Sequence, residues 1–261
     1  MTIQNPKSKI KKPPDILAVI MARGGSVGLP GKSLRSLLGK PVLTYTLAHV
    51  RESKLITRSI VSSDDPQILA LAKQEGFATI QRPPELATST SATDPVLRHA
   101  VNSLYPHTSG LKTQDSRLPL AIVMLYGNIP IRNNHMIDNA IQLLLDTGAD
   151  SVQTIASVGK FHPYWMFDRA DDGKIKKHIP NTIFRRQDLP PLYSPTGAVY
   201  VMKTQVLMAT ESDPDPHAFL GNDRRGLVVH PEDSVDIDTE KDLYLAEAML
   251  RAQQQPLQPR P

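Results

Sequence analysis

The chain has 261 residues, 40% of them hydrophobic and 21% charged, which allows one large folded domain with at most an appendage and excludes a wholly disordered chain. It contains no cysteine, which excludes disulfides, thiol nucleophiles and thiolate metal sites. No apolar run approaches the roughly 18 residues of a membrane span, and the lysine-rich residues 1–14 lack the apolar stretch of a secretory signal, so we expect a cytoplasmic protein that does not enter a membrane.

The positive charge of the chain, a net +4, is concentrated at its two ends. Six of the 30 lysine and arginine residues lie in residues 1–14 and 251–261, which hold no acidic residue. Residues 15–250 therefore keep 24 basic against 26 acidic residues, a net charge of −2. We expect disordered basic tails at 1–14 and 251–261 around one domain at 15–250, with no nucleic-acid partner.

Short apolar runs alternate with segments of helical spacing along this domain. Strands are predicted at residues 16–22, 59–63, 78–80, 120–125, 151–158, 198–202 and 227–229. Helices are predicted at residues 42–51, 66–75, 94–104, 135–146 and 239–251. The alternation predicts an α/β fold: a Rossmann-like, mostly parallel sheet with helices on both faces. In such sheets ligands bind at the carboxyl ends of the strands.

Three segments interrupt the alternation. Residues 106–119 and 211–226 have the composition of surface loops. Residues 161–192 are rich in charge and aromatic side chains and are longer than a simple connection requires. We interpret 161–192 as an excursion from the sheet, which either packs on the partner subunit of a homodimer or forms part of the ligand cleft of its own domain.

A glycine-rich segment, residues 23–33, follows the first predicted strand. It contains four glycines together with Arg23 and Lys32, so its N–H groups and two cations suit a polyphosphate. Gly31-Lys32-Ser33 ends as a Walker A loop ends, but that motif needs a glycine where Ser26 stands. A P-loop kinase or ATPase is therefore kept only as an alternative that rests on these three residues. A glycine-rich turn with incidental cations is the other alternative interpretation.

Six sequence motifs then follow one another in order. They are Ala22-Arg23-Gly24-Gly25-Ser26 with Leu29-Pro30-Gly31-Lys32 and Gly39-Lys40-Pro41; Val61-Ser62-Ser63-Asp64-Asp65; Arg82-Pro83-Pro84-Glu85-Leu86-Ala87; Arg185-Arg186-Gln187 with Leu189-Pro190; Thr196-Gly197-Ala198-Val199-Tyr200; and Asp233-Ser234-Val235-Asp236-Ile237-Asp238-Thr239 with Asp242-Leu243. Together they resemble the sugar-acid cytidylyltransferases, the family of the acylneuraminate (CMP-sialic acid) and CMP-Kdo synthetases. The resemblance spans residues 16–250.

The resemblance implies a fold of the nucleotide-diphospho-sugar transferase type and a reaction in which the hydroxyl of a sugar acid attacks the α-phosphorus of CTP in line, releasing pyrophosphate. It implies that Arg23 and Lys32 hold the triphosphate and that Asp236 and Asp238 bind Mg²⁺. Alternate residues of an extended segment face the same way, and Mg²⁺ prefers carboxylate oxygens, so this spacing agrees with a metal site. An acidic strand end that caps the helix at 239–251 is the alternative.

The resemblance also implies residues that line the substrate pockets. Nucleotide-binding positions are matched by Ala22, Gly24, Gly25, Ser26, Ser33, Arg82 and Thr93. Acceptor positions are matched by Tyr126, Asn128, Arg186, Gln187 and Thr196. We expect His162, in the excursion, to be a packed side chain and not a catalytic one.

Three positions depart from the pattern of the sialic-acid enzymes. Val27 stands in place of a lysine, Tyr126 in place of a glutamine that contacts the sugar, and Thr196 in place of an asparagine. A changed hydrogen-bonding pattern changes which acceptor fits, so we expect an anionic acceptor of the sugar-acid type without naming it. The alternatives are a cytidylyltransferase for a non-sugar anionic acceptor and a non-catalytic nucleotide-binding relative.

Overall fold

The computed structural model describes residues 13–26, 28–106, 117–133 and 135–254. Val27 lies outside the described residues, as do most of the predicted loop at 106–119, nearly all of the predicted tail at 1–14, and residues 255–261 of the predicted C-terminal tail. In the described part of the chain, no helix is both long enough and apolar enough to span a bilayer.

Seven strands form the central sheet, in the order β7-β5-β6-β4-β1-β2-β3. They are β1 (Ile16–Met21), β2 (Arg58–Ser63), β3 (Ala78–Gln81), β4 (Ala121–Tyr126), β5 (Ser151–Ser157), β6 (Tyr193–Lys203) and β7 (Arg224–Val228). Strand β6 pairs antiparallel with β4 and β5, while the pairs β1–β2, β1–β4, β2–β3 and β5–β7 are parallel. The predicted α/β fold with a mostly parallel sheet is confirmed.

Six α-helices accompany the sheet in the residues that the structure describes. They are α1 (Val42–Glu52), α2 (Pro66–Gln74), α3 (Thr93–Leu104), α4 (Met136–Thr147), α5 (Thr204–Ala209) and α6 (Glu240–Gln254). Helix α6 continues to Gln254, so the first four residues of the predicted tail at 251–261 are helical, because the helical pattern does not stop at Arg251. The short helix α5 is absent from the sequence prediction.

Both faces of the sheet are covered, as the burial of β1 illustrates. All six residues of β1 are buried, which is typical of a central parallel strand. Ile16, Ala18 and Ile20 belong to the core shared with α1, α2 and α4. Leu17 and Val19 belong to the core shared with α3 and α5.

Short elements complete the fold. Three two-stranded ladders pair Ser36–Leu37 with Lys40–Pro41, Ile131–Arg132 with Ser234–Val235, and Phe167–Arg169 with Ile175–Lys177. Single 3₁₀ turns occur at Lys32–Leu34, Pro84–Leu86, Gly159–Phe161, Pro163–Trp165, Arg186–Asp188, Ala218–Leu220 and Pro231–Asp233. The ladder between Ile131–Arg132 and Ser234–Val235 brings the end of the domain to the carboxyl end of β4.

The excursion at 161–192 is built from short turns and one of these ladders. Its large apolar side chains face solvent in the single chain, with Phe161 68% and Phe184 83% exposed. His162 is buried, and both of its ring nitrogens form hydrogen bonds. Nε2 bonds to the carbonyl of Pro190, and Nδ1 accepts the N–H of Tyr164. His162 is therefore a packed side chain, as expected.

Candidate active site

A cleft of about 280 Å³ opens at the carboxyl ends of β1, β3 and β4. The chain passes from β1 to β2 and β3 on one side and returns with β4 on the other side of β1, so the cleft lies at the point where the strand order reverses. Predicted site residues that line it are Ala22, Arg23, Lys32, Ser33, Arg82, Thr93, Tyr126, Asn128, Asp236 and Asp238. Segments more than 200 residues apart in sequence thus meet in one cleft.

The glycine-rich segment forms one wall of the cleft. A Cβ atom at Gly28 would lie 2.5 Å from the carbonyl oxygen of Asp238, so only glycine allows this close approach. Lys32 opens a single 3₁₀ turn, Lys32–Leu34, and a β-hairpin follows. A Walker A loop would instead continue into an α-helix at Lys32, so the structure does not support the alternative of a P-loop kinase or ATPase.

The two carboxylates form the opposite wall. Ile237 is fully buried between them, so alternation along the extended segment turns Asp236 and Asp238 toward the cleft. Asp236 accepts a hydrogen bond from Asn128 Nδ2, and that amide also donates to the carbonyl of Ile237 at 3.0 Å. Asp238 Oδ1 lies 2.6 Å from Lys32 Nζ. Burial and the neighbouring Asp238 raise the pKa of Asp236 to about 6.

A different carboxylate caps the segment that leads into α6. Asp242 Oδ2 accepts hydrogen bonds from the N–H groups of Asp238 and Thr239, at 3.2 and 2.8 Å. It also accepts one from the Thr239 hydroxyl. Asp236 and Asp238 are therefore not the capping groups, which removes the alternative interpretation of this motif.

Arginines and hydroxyl groups surround the other end of the cleft. Arg82 is 5% exposed and donates to the carbonyl and the hydroxyl of Ser62, and burial lowers its pKa to about 10. Arg23 Nη1 donates to the carbonyl of Thr88 at 2.9 Å. The sequence prediction missed the lining residues Thr88, Ser89 and Ser91. The run of hydroxyl residues just before α3 is the sequence feature that could have indicated them.

Arg132 is a further residue that the sequence prediction missed. It is buried and donates to the carbonyls of Tyr126, Ile129 and Ala198 and to the hydroxyl of Thr46, at 2.6 to 3.0 Å. No described carboxylate forms an ion pair with it, and burial lowers its pKa to about 9. Arg132 thereby fixes the turn that carries Tyr126 and Asn128 into the cleft.

Six predicted site residues do not line the cleft of the single chain. Gly24, Gly25 and Ser26 lie in the glycine-rich segment, Gly25 being exposed with no atom near its Cβ position. Thr196 Oγ1 is hydrogen-bonded to Thr154 Oγ1 on the neighbouring strand at 2.8 Å. Arg186 and Gln187 are exposed on a turn of the excursion. The roles predicted for these six residues stay predictions.

A glycine-rich loop with two cations, facing a carboxylate pair at the switch point of such a sheet, is the site of a nucleotidyltransferase. Residues 17–219 match the family described as Cytidylyltransferase, and the chain belongs to that family. The resemblance inferred from the motifs is thereby confirmed.

Two individual relatives agree with this assignment. The chain is 29% identical over 250 residues to the CMP-N,N'-diacetyllegionaminic acid synthase of Legionella pneumophila, covering 93% of this chain and 99% of that protein. It is 26% identical over 229 residues to the N-acylneuraminate cytidylyltransferase of Streptococcus agalactiae serotype V, covering 87% of this chain but only 51% of that protein. The chain thus spans about half the length of the latter relative.

The fold itself matches a solved structure of CMP:2-keto-3-deoxy-manno-octonic acid synthetase complexed with CTP. The TM-score is 0.63 at 17% sequence identity, over 92% of this chain and 99% of that one. This likeness confirms the predicted fold of the nucleotide-diphospho-sugar transferase type.

Proposed function

We propose that this enzyme joins CMP from CTP to a hydroxyl group of a sugar acid and releases pyrophosphate. The observation that carries the proposal is the meeting of the glycine-rich loop and the carboxylate pair in one cleft, through Lys32 and Asp238. Two of the relatives, a CMP-N,N'-diacetyllegionaminic acid synthase and an N-acylneuraminate cytidylyltransferase, support a sugar acid as the acceptor.

In this proposal the cations of the cleft hold the triphosphate. Arg23, Lys32 and Arg82 all line it, and three positive charges balance most of the charge of a nucleoside triphosphate. The bond that forms joins the acceptor oxygen to the α-phosphorus, and the bond that breaks joins that phosphorus to the pyrophosphate oxygen. Catalysis of such a displacement is mainly positioning and neutralisation of charge, and Lys32 is well placed to stabilise the departing pyrophosphate.

Asp236 and Asp238 would hold Mg²⁺. Both carboxylates line one cleft, with a single residue of the extended segment between their backbone positions. This donor set fits a hard divalent cation, which completes its coordination with water and phosphate oxygens. When bound, the ion supplies neutralisation of phosphate charge. Asn128 orients Asp236, and Lys32 orients Asp238.

The acceptor would lie on the Tyr126 side of the cleft, next to Asn128 and the carboxylates. Burial raises the pKa of Tyr126 to about 12, so its hydroxyl stays protonated and is able to donate to an acceptor oxygen. Arg186, Gln187 and Thr196 stay candidates for further contacts with the acceptor. The tyrosine in place of the family's glutamine supports an acceptor whose hydroxyl pattern differs from that of sialic acid.

We also propose that the enzyme is a homodimer assembled through the excursion at 161–192. The support is its exposed apolar surface, which includes Phe161, Phe167, Ile175 and Phe184, all more than half exposed. Large apolar side chains exposed in this number on one segment are typical of a protein–protein interface. The same arrangement would bring Arg186 and Gln187 of one protomer toward the cleft of its partner.

The charge distribution supports a small anionic substrate over a nucleic acid. Residues 15–250 carry a net charge of −2. The positive charge available for binding an anion is therefore that of the cleft residues. A cytoplasmic location stays a prediction from composition.

The test of the proposed function is a screen for pyrophosphate release. Each of CTP, UTP, ATP and GTP is paired with sialic, legionaminic-type, Kdo-type and non-sugar anionic acceptors in the presence of Mg²⁺. We expect release with CTP and a sugar acid, and loss of that release in Asp238→Ala. Binding of CTP without release on any acceptor would contradict the proposal.

A further inference from the structure

Asp64 joins the glycine-rich loop to the neighbouring strand. It directly follows β2, and its Oδ1 accepts the N–H of Gly24 at 3.0 Å. The carbonyl of Asp64 accepts a hydrogen bond from Gln81 Nε2 at 3.0 Å, which ties its backbone to the end of β3. The carboxylate is thus a fixed acceptor for the amide of Gly24, near the start of the glycine-rich segment.

The next residue, Asp65, forms different hydrogen bonds. Its Oδ1 accepts the N–H groups of Gln67 and Ile68 and caps α2. A Cβ atom at Gly24 would lie 2.6 Å from Asp65 Oδ2 and 2.8 Å from Asp65 Cβ. The loop therefore rests closely on both aspartates, and only glycine fits at this point.

A carboxylate this close to a triphosphate site opposes the binding of the substrate by charge repulsion. Asp64 does not line the cleft, yet its charge acts on Arg82, where it favours the protonated form against the opposing influences of burial and Arg23. Two interactions of Asp64 act in the opposite direction: its hydrogen bond to the Gly24 amide, and its charge beside Arg82.

We propose that Asp64 is a positioning residue whose hydrogen bond to the Gly24 amide holds the glycine-rich loop in the conformation that receives the triphosphate. This rests on the proposed function only in taking CTP as the nucleotide. Asp64 touches neither substrate; it acts through the loop. The hydrogen bond is the essential contribution, and the negative charge is incidental to it.

Two substitutions separate these contributions. Asp64→Asn keeps an oxygen that accepts from Gly24 and removes the charge, while Asp64→Ala removes both. If the hydrogen bond matters, Asp64→Ala raises the KM and the Kd for CTP–Mg²⁺ by about tenfold or more, the scale of a lost hydrogen bond to a charged group. We expect Asp64→Asn to stay within about threefold of the wild type or to bind more tightly.

The matched control is Asp65→Asn, which removes the same charge one residue away and leaves an N-cap for α2. We expect it to keep the KM for CTP of the wild type. Two outcomes would overturn the proposal: an unchanged or lower KM in Asp64→Ala, which would mean that the charge alone acts, or equal impairment of Asp64→Asn and Asp64→Ala.

Amide hydrogen exchange without nucleotide gives a readout that does not depend on CTP. We expect the Gly24 N–H to be protected in the wild type and in Asp64→Asn, and unprotected in Asp64→Ala. A failure of the proposed function would abolish CTP binding in the wild type but leave this protection intact, whereas a Gly24 amide that exchanges freely in the wild type would overturn the role of Asp64. If Asp64→Ala does not fold, exchange of the Gly24 amide in the wild type still tests the proposal, and free exchange there overturns it.

Discussion

Lys32 Nζ lies 2.6 Å from Asp238 Oδ1 and joins the glycine-rich loop to the segment that leads into α6. The Lys32 side chain is 14% exposed and that of Asp238 66%. An ion pair with one exposed partner stabilises a fold by only about 0–1 kcal/mol. The pair is therefore important for the geometry of the cleft and contributes little to the stability of the protein.

The first prediction concerns this pair. We expect Lys32→Met and Asp238→Asn each to lower the kcat for pyrophosphate release by at least about 100-fold, because in the proposed function each removes a group that acts on transition-state charge. The melting temperature changes by no more than about 4 °C, because 1 kcal/mol corresponds to about 2–4 °C in a domain of this size. Steady-state kinetics and thermal unfolding measure the two effects.

Arg35→Gln is the matched control for the first prediction. Arg35 also pairs with the start of α6, through Glu240 at 3.0 Å, but it does not line the cleft. We expect Arg35→Gln to keep the wild-type kcat. Equal loss of activity in Arg35→Gln and Lys32→Met would show that the loop and α6 merely need to be held together.

The second prediction concerns removal of the metal. EDTA abolishes pyrophosphate release and added Mg²⁺ restores it, because the carboxylate pair needs a cation to receive the phosphates. Asp236→Asn raises the Mg²⁺ concentration needed for half-maximal activity, as shown by titration at saturating substrates. Full activity of the enzyme in EDTA would rule out this role for Asp236 and Asp238.

The third prediction concerns assembly. We expect sedimentation to report a dimer at micromolar concentration. Phe184→Asp raises the dimer dissociation constant by about 30-fold or more, because it places a charge in an apolar interface. The control is Tyr244→Asp on α6, since Tyr244 is 65% exposed and lies outside the excursion. A wild-type monomer, or dissociation caused equally by both variants, would contradict assembly through the excursion.

The fourth prediction concerns acid stability. Burial, with a contribution from the charge of Arg132, lowers the pKa of His49 from its ordinary 6.5 to about 3. Below pH 6.5 the unfolded chain therefore takes up a proton that the folded chain excludes, so His49 destabilises the fold as the pH falls from 6.5 toward 3.

Denaturant unfolding of the wild type and His49→Gln at pH 7 and pH 5 checks this prediction. The wild type loses about 1–2 kcal/mol more of its free energy of unfolding over this interval than the variant does. Equal losses would mean that His49 is protonated in the folded protein.

Much of the fold could be predicted, because its signals are local. The run at β1 is apolar on both faces, which only a central strand requires. The cleft-facing positions of Asp236 and Asp238 followed from the alternation of an extended segment. Strand β6 was predicted as 198–202 but begins at Tyr193, because Pro195 and the irregularity between Pro195 and Tyr200 interrupt the strand pattern.

The parts of the site that were missed depend on long-range contacts. Nothing in the residues around Arg132 distinguishes a buried arginine from an exposed one, since its acceptors come from α1, β6 and the turn after β4. The same limit applies to Thr196. Its position matched the family pattern, but only the register of β6 on β5 reveals that its hydroxyl is hydrogen-bonded to Thr154.

The central claim is that an acceptor oxygen attacks the α-phosphorus of CTP. The most direct test uses a sugar acid labelled with ¹⁸O at the attacking hydroxyl, and follows the CMP-sugar by mass spectrometry. The account predicts that the label is retained in the oxygen that joins the sugar to phosphorus and that the pyrophosphate is unlabelled. A CMP-sugar that has lost the label would contradict it.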